Sequence, residues 1–225
     1  MPADFVAGVR SMLPLLLGLL PFGVVAGVAA VDAGLSPLQA VGLSVVVFAG
    51  AAQLAAVDLL ATDAPLAVVV LTAVVINLRM TMYSASIAPY LASLRRRWAV
   101  VSAYLLTDMS YALAIAEFTD EEETNRRWYY LGAAGAIWAV WQVATVAGVV
   151  LGTGLPAGWN VSFAVPLVFL ALLVPELTDR PRLAAALVGG GVAVGGAALP
   201  LNLGLMAGAL AGVVAGVVVD GRVGA

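Results

Sequence analysis

Long apolar runs with very few charges between them set the limits on what this chain can become. A bilayer core of about 30 Å is crossed by about 20 mostly apolar helical residues. Eight stretches have that character: Met12–Val31, Leu38–Leu60, Ala64–Leu91, Trp98–Phe118, Tyr129–Gly154, Val161–Pro175, Leu183–Leu199 and Leu201–Val219. Of the 225 residues, 63% are hydrophobic and 10% charged, whereas a soluble domain carries about 25% charged residues. Too little polar surface remains to face water, which excludes a soluble enzyme, a nucleic-acid module or a disordered regulator. The expected fold is an all-α polytopic membrane protein of seven to eight transmembrane helices, some of them broken or re-entrant. Residues 1–225 are expected to form one transporter domain with no soluble part, multi-pass in the plasma membrane.

The third stretch is long enough to be bent or strongly tilted, and the last two are separated only by Pro200. Val28-Ala29-Ala30 resembles a signal-peptide cleavage site, but the apolar stretch before it exceeds the usual length and contains Pro21. With eight crossings, Arg10, Arg126, Arg127, Arg180, Arg182 and Arg222 fall on one side and Arg95, Arg96 and Arg97 on the other. The positive-inside rule then places both termini in the cytoplasm. The acidic and basic segment Thr119–Arg127 reads as a solvated loop. Trp128, Tyr129 and Tyr130 follow it as interfacial anchors, and Trp98 follows the arginine triplet in the same way. Glu117 and Glu176 lie near span ends, within reach of headgroups, and Pro166 and Pro175 predict a kink in the sixth stretch.

Three absences narrow the chemistry. The chain has no Cys and no His, and all ten basic residues are Arg. Thiolate nucleophiles, the common metal ligands and a Ser–Lys dyad are therefore unavailable. No metal and no cofactor is expected. The net charge of −3 implies no nucleic-acid partner.

Charged residues inside spans are costly and point to function. Arg79 lies near the middle of the third stretch and Asp108 near the middle of the fourth. Counted from Arg96, their depths differ by about 7.5 Å, which a guanidinium can bridge. Tyr104, Asp108 and Tyr111 fall on one face of a continuous helix. Arg79, Tyr83, Ser86 and Tyr90 make a similar stripe, with Asn77 and Thr81 beside it. So many polar groups must face other helices or a wet cavity, and a cavity of this kind suits a zwitterion or a proton. The plainer reading is an Arg–Asp pair that only holds two helices together.

Phe48-Ala49-Gly50-Ala51-Ala52-Gln53 permits either close helix packing or a broken helix whose free N–H groups attract a carboxylate. Asp58 follows within the same stretch. Gly204, Gly208, Gly212 and Gly216 recur every fourth residue and predict a close helix seam. Gly23 and Gly27 make a shorter version. The steps Leu20-Pro21 and Leu199-Pro200, each preceding such a run, suggest an internal repeat.

Several segments resemble the AzlC family of branched-chain amino-acid permeases. They are Leu20-Pro21-Phe22-Gly23, Phe48-Ala49-Gly50-Ala51-Ala52-Gln53, Asn77-Leu78-Arg79-Met80, Met82-Tyr83-Ser84-Ala85-Ser86, Ala103-Tyr104-Leu105-Leu106-Thr107-Asp108 and Pro166-Leu167-Val168-Phe169-Leu170. The resemblance runs in order over nearly the whole chain. It implies the large subunit of the two-component AzlC/AzlD exporter (LIV-E family), which moves branched-chain amino acids and in some members methionine. It also implies a small AzlD-type membrane partner of about four spans. With no Walker pattern in the chain, the expected mechanism is proton-coupled secondary transport and the chain is not expected to be an enzyme. Within that expectation Arg79, helped by the backbone at Gly50, Ala51 and Gln53, holds the substrate carboxylate. Asp108 holds the ammonium group or the coupled proton, with Asp58 a second proton-coupling candidate. Tyr83, Tyr104, Tyr111 and Asn77 complete the polar shell. The rivals are a structural Arg–Asp pair with substrate bound elsewhere, a passive small-solute channel, and an intramembrane enzyme using Asp58 and Asp108 as paired carboxylates.

Overall fold

The structure is a computed structural model that describes residues 2–120, 124–154, 177–199 and 203–223, with positions 170 and 173. All the regular structure among them is helical, and the chain divides into two compact units, Met1–Val168 and Phe169–Ala225. The expected span Val161–Pro175, with Pro166 and Pro175, falls outside the described residues except at positions 170 and 173, as do Glu176 and Pro200.

Among the described residues the first unit contains eight helices: α1 (Ala3–Asp32), α2 (Pro37–Val47), α3 (Gly50–Ala61), α4 (Leu66–Asn77), α5 (Arg79–Leu91), α6 (Arg96–Tyr104), α7 (Asp108–Asp120) and α8 (Arg126–Gly154). Three pieces among the described residues are long and apolar enough to cross a membrane: α1, the α4–α5 pair over Leu66–Leu91, and α8. At 1.5 Å per residue, α2, α3, α6 and α7 each reach only about 14–20 Å, roughly half of the hydrocarbon core.

Helices α1 and α8 run parallel. Gly8 lies against Tyr129 and Ala133, Gly23 against Ala144, Gly27 against Thr145 and Gly148, and Gly152 against Val28 and Val31. A Cβ at Gly8, Gly27, Gly132 or Gly148 would come within 3.0 Å of the facing backbone. Only glycine lets these backbones approach so closely.

Side-chain contacts then fix the direction of the half-length helices. Ala30, Ala40, Val57 and Val149 form one buried cluster, so the start of α2 and the far part of α3 lie together at the end of the unit where α1 finishes. At the opposite end, Trp98 lies 6.3 Å from Trp128 and Phe118 lies 6.2 Å from Tyr129. The start of α6 and the end of α7 therefore meet beside the start of α8. Both pairs are hairpins that enter and return on the side they came from. The stretches Leu38–Leu60 and Trp98–Phe118 each fold back, and the two hairpins enter from opposite ends.

This arrangement corrects the expected distribution of arginines. The Arg127 guanidinium lies over both Trp98 (5.5 Å) and Trp128 (4.6 Å), and Arg97 also lies over Trp98 (5.6 Å). Arg95–Arg97 and Arg126–Arg127 therefore share one end, because the chain between them makes a hairpin and not a crossing.

The span-plus-hairpin pattern occurs twice with opposite orientation. Its landmarks (Asp32 and Leu91, Pro37 and Arg96, Gly50 and Asp108, Ala61 and Asp120, Leu66 and Arg126) recur at a constant offset of about 59 residues. An inverted repeat of this kind is a common plan of secondary transporters. It has a different spacing from the Leu-Pro recurrence read in the sequence.

In the second unit, α9 (Arg180–Gly195) and α10 (Leu203–Val223) form an antiparallel pair. Asp179 caps α9 by accepting from the Arg182 N–H at 2.8 Å. Gly204 packs on Gly196, Gly208 on Gly189 and Ala193, Gly212 on Ala185 and Gly189, and Gly216 on Ala185. A Cβ at Gly204, Gly208 or Gly212 would fall within 3.0 Å of a backbone carbonyl of α9.

Candidate functional site

Three chain interruptions fall near mid-depth. Helix α2 ends at Phe48, whose backbone is left-handed (φ 39°, ψ 45°), and Ala49 is extended before α3 begins. A left-handed non-glycine residue costs about 1–3 kcal/mol and persists only where the surroundings enforce it. Here the Phe48 ring is buried in the α1–α8 core with Leu54, Ile137 and Trp141. Leu78 separates α4 from α5. Leu105–Thr107 separates α6 from α7, and Thr107 and Ser110 cap the new helix reciprocally: the Thr107 N–H donates to Ser110 Oγ at 2.8 Å and the Ser110 N–H to Thr107 Oγ1 at 3.2 Å.

The two charged residues singled out in the sequence open the helices that follow two of these interruptions. Arg79 is the first residue of α5 and Asp108 the first of α7. Arg79 Nη1 lies 3.8 Å from Asp108 Oδ2, with side chains 35% and 54% exposed. The pair is loose and open on one side, unlike a sealed bidentate bridge. Asp108 also sits where the α7 dipole favours a negative charge. The Arg79 Nε and the Asn77 Oδ1 are buried and without a hydrogen-bond partner, so the guanidinium keeps unused donor capacity. Beside it the Tyr83 and Tyr111 rings stack at 4.6 Å, and the Ser86 and Tyr111 hydroxyls lie 2.8 Å apart.

Tyr104 does not join that group. The break at Leu105–Thr107 ends the helical face expected to carry Tyr104, Asp108 and Tyr111 together. The Tyr104 hydroxyl instead donates to the Val45 carbonyl at 2.7 Å and accepts from Trp138 Nε1 at 2.9 Å. It thereby ties the tip of one hairpin to the tip of the other, with the Phe48 and Tyr104 rings 5.8 Å apart. Tyr90, at the far end of α5, lies under the Arg126 guanidinium at 5.1 Å. Asp58 is exposed on α3, two turns beyond Gly50 and in the other hairpin from Asp108. Nothing pairs the two carboxylates.

Gly50 and Gln53 share a face of α3. A Cβ on Gly50 would lie 2.5 Å from Phe22 Cε1 and 2.9 Å from Trp141 Cη2. Gln53 is fully buried, and neither its Oε1 nor its Nε2 has a partner. The N–H groups of Gly50, Ala51 and Ala52 have no acceptor within the helix, as at any helix start. Trp138, Trp141 and a polar cluster on α2 and α8 were not singled out in the sequence. In that cluster Ser44 Oγ lies 3.1 Å from Gln142 Oε1 and 3.4 Å from Thr145 Oγ1. Gln142 and Thr145 inside a charge-free span were the available signal.

Residues 14–155, which run from α1 through α8, match the family model described as AzlC protein. The chain belongs to the AzlC family. It is 29% identical over 212 residues to the inner membrane protein YgaZ of Escherichia coli (strain K12), covering 89% of this chain and 85% of that one. It is 31% identical over 210 residues to an uncharacterized membrane protein of Archaeoglobus fulgidus, covering 91% and 90%. No solved structure matches it. Membership of this family, the apolar crossing helices and the membrane-protein relatives support a role in transport across a membrane.

Proposed function

We propose that the protein is a multi-pass plasma-membrane permease subunit that exports branched-chain amino acids, and methionine, by proton-coupled secondary transport with a small AzlD-type partner. The observation that carries the reading is the open Arg79–Asp108 pair between interrupted helices at mid-depth. Arg79, together with the backbone N–H groups of Gly50 and Ala51 and the side-chain amide of Gln53, holds the carboxylate. Asp108 takes the ammonium group in one half of the cycle and the coupled proton in the other. Because both ligands compete for one carboxylate, loading a proton expels the substrate, which is the logic of exchange. Tyr83, Tyr111 and Asn77 supply neutral polar contacts, and Asp58 offers a proton position nearer the far end.

Burial of the aliphatic side chain contributes about 0.8 kcal/mol per CH₂. Discrimination among valine, leucine, isoleucine and methionine is therefore shallow, since one methylene is worth about 1–3 kcal/mol. The test is efflux of labelled leucine from proteoliposomes, with and without the small partner. Uphill efflux that collapses when a protonophore dissipates the gradient supports a carrier. Efflux that only ever runs downhill, indifferent to the protonophore, supports a channel.

A further inference from the structure

The tip of the first hairpin carries more hydrogen-bonding capacity than the protein uses. Gln53 is 0% exposed and has neither an acceptor for its amide hydrogens nor a donor for its oxygen. Trp141, 3% exposed, also has no acceptor for its indole N–H. A buried polar group without a partner costs about 1–3 kcal/mol. Both side chains belong to the same locality. Trp141 Cη2 touches the Cβ position of Gly50, Gln53 is one turn on from Gly50, and helical side chains lean toward the helix N-terminus. The N–H groups of Gly50, Ala51 and Ala52 emerge at this same end of α3.

Donors dominate the set. Two amide hydrogens of Gln53, one indole hydrogen of Trp141 and three backbone N–H groups stand against a single side-chain acceptor, Gln53 Oε1. A neutral ligand leaves most of these donors unsatisfied. An oxyanion, with two oxygens and about four lone pairs, uses them. Tight glycine packing explains Gly50, but it does not explain an amide in a dry core where leucine fits as well.

We propose that Trp141 Nε1 and Gln53 Nε2 are direct hydrogen-bond donors to the carboxylate of the transported amino acid. Trp141 is thus a substrate-binding residue on α8, facing the broken first hairpin. The inference rests on the amino-acid transport reading above and adds, from the first hairpin and α8, further donors for the carboxylate that Arg79 holds from the interrupted α4–α5 span. The hydrogen bonds that these groups do not make within the protein are then completed by substrate.

The test uses the full chain in lipid nanodiscs, with leucine binding measured by titration for the wild type, Trp141→Phe, Gln53→Leu and Gln53→Met. Phenylalanine keeps an aromatic ring beside Phe22 but removes the N–H together with part of the indole volume; methionine keeps the length of Gln53 and removes its polarity. Each variant is expected to bind leucine about tenfold or more weakly, the loss typical of one charge-assisted hydrogen bond. Gln53→Leu and Gln53→Met should melt no lower than the wild type without ligand, because an unsatisfied buried group has been removed. Trp141→Phe should melt somewhat lower through the lost indole volume while leaving leucinol binding unchanged. Leucinol, which lacks the carboxylate, should bind wild type and Trp141→Phe alike. Leucine affinity unchanged in all three variants would overturn the inference and assign these atoms to buried water. A matched fall in melting temperature and in affinity for both leucine and leucinol would overturn it in favour of simple packing. Absence of leucine binding by the wild type would remove the transport reading itself, and the inference with it.

Discussion

Replacing Asp108 by asparagine separates a working charge from a structural one. At 3.8 Å, two unit charges attract by about 4 kcal/mol at an effective dielectric of 20 and by about 1 kcal/mol in water. The side chains are 35% and 54% exposed, and exposed pairs measured by mutation contribute about 0.2–1 kcal/mol. The expected stability loss in Asp108→Asn is therefore about 1 kcal/mol or less, a fall of about 2–4 °C in Tm for a chain of this size. Breaking a sealed buried pair would instead cost about 3–5 kcal/mol. Thermal unfolding of the purified protein, read beside leucine transport in proteoliposomes, distinguishes the two. Transport lost to background with a small Tm shift is expected. A drop of more than about 10 °C, with transport falling only as folded protein is lost, would refute a functional charge and leave a helix clamp.

Other consequences follow from the packing and the topology. Gly148→Leu forces a side chain into the Val24 carbonyl; overpacking costs about 1–3 kcal/mol, so Tm should fall and the yield of folded protein drop, while Gly135→Ala, which meets nothing within 4 Å, should be neutral. Tyr104→Phe removes the hydroxyl shared by Val45 and Trp138 and should lower stability by about 1–3 kcal/mol through the two orphaned groups. The chain has no native Cys, so Ser93→Cys and Asn125→Cys, introduced singly, should react with an impermeant maleimide from one face of the membrane and Asp63→Cys from the other. Labelling of Ser93→Cys and Asn125→Cys from opposite faces would rule out the second hairpin.

Much of this was visible in the residues. The all-helical membrane class follows from the apolar runs alone, and the four-residue spacing from Gly204 to Gly216 anticipates their close approach to α9. Broken or re-entrant elements were expected, but their places were hidden because an apolar stretch such as Leu38–Leu60 suits one crossing or two half-crossings equally well. What decides between them is a left-handed Phe48 held by tertiary packing in the first hairpin, and in the second the break at Leu105–Thr107 with its Thr107–Ser110 cap. The misplaced arginines and the misjudged face of Tyr104 both descend from that one ambiguity. Arg79 and Asp108 stood out because charge in hydrocarbon is costly. Trp138 and Trp141 did not, since an apolar ring in a span looks like packing until its N–H is traced to a partner or to none. Gly132, Gly148 and Gly152 on α8 stand at multiples of four and carry the seam with α1, but Ala136, Val140 and Ala144 occupy the positions between them and hide the pattern.

The most direct measurement is leucine exchange in proteoliposomes by the charge-swapped double variant Arg79→Asp with Asp108→Arg. If these groups grip opposite ends of the substrate, the swapped protein folds, keeps its ion pair and exchanges no leucine. Exchange at the wild-type rate would mean that the two charges only need each other, and that the amino acid passes somewhere else.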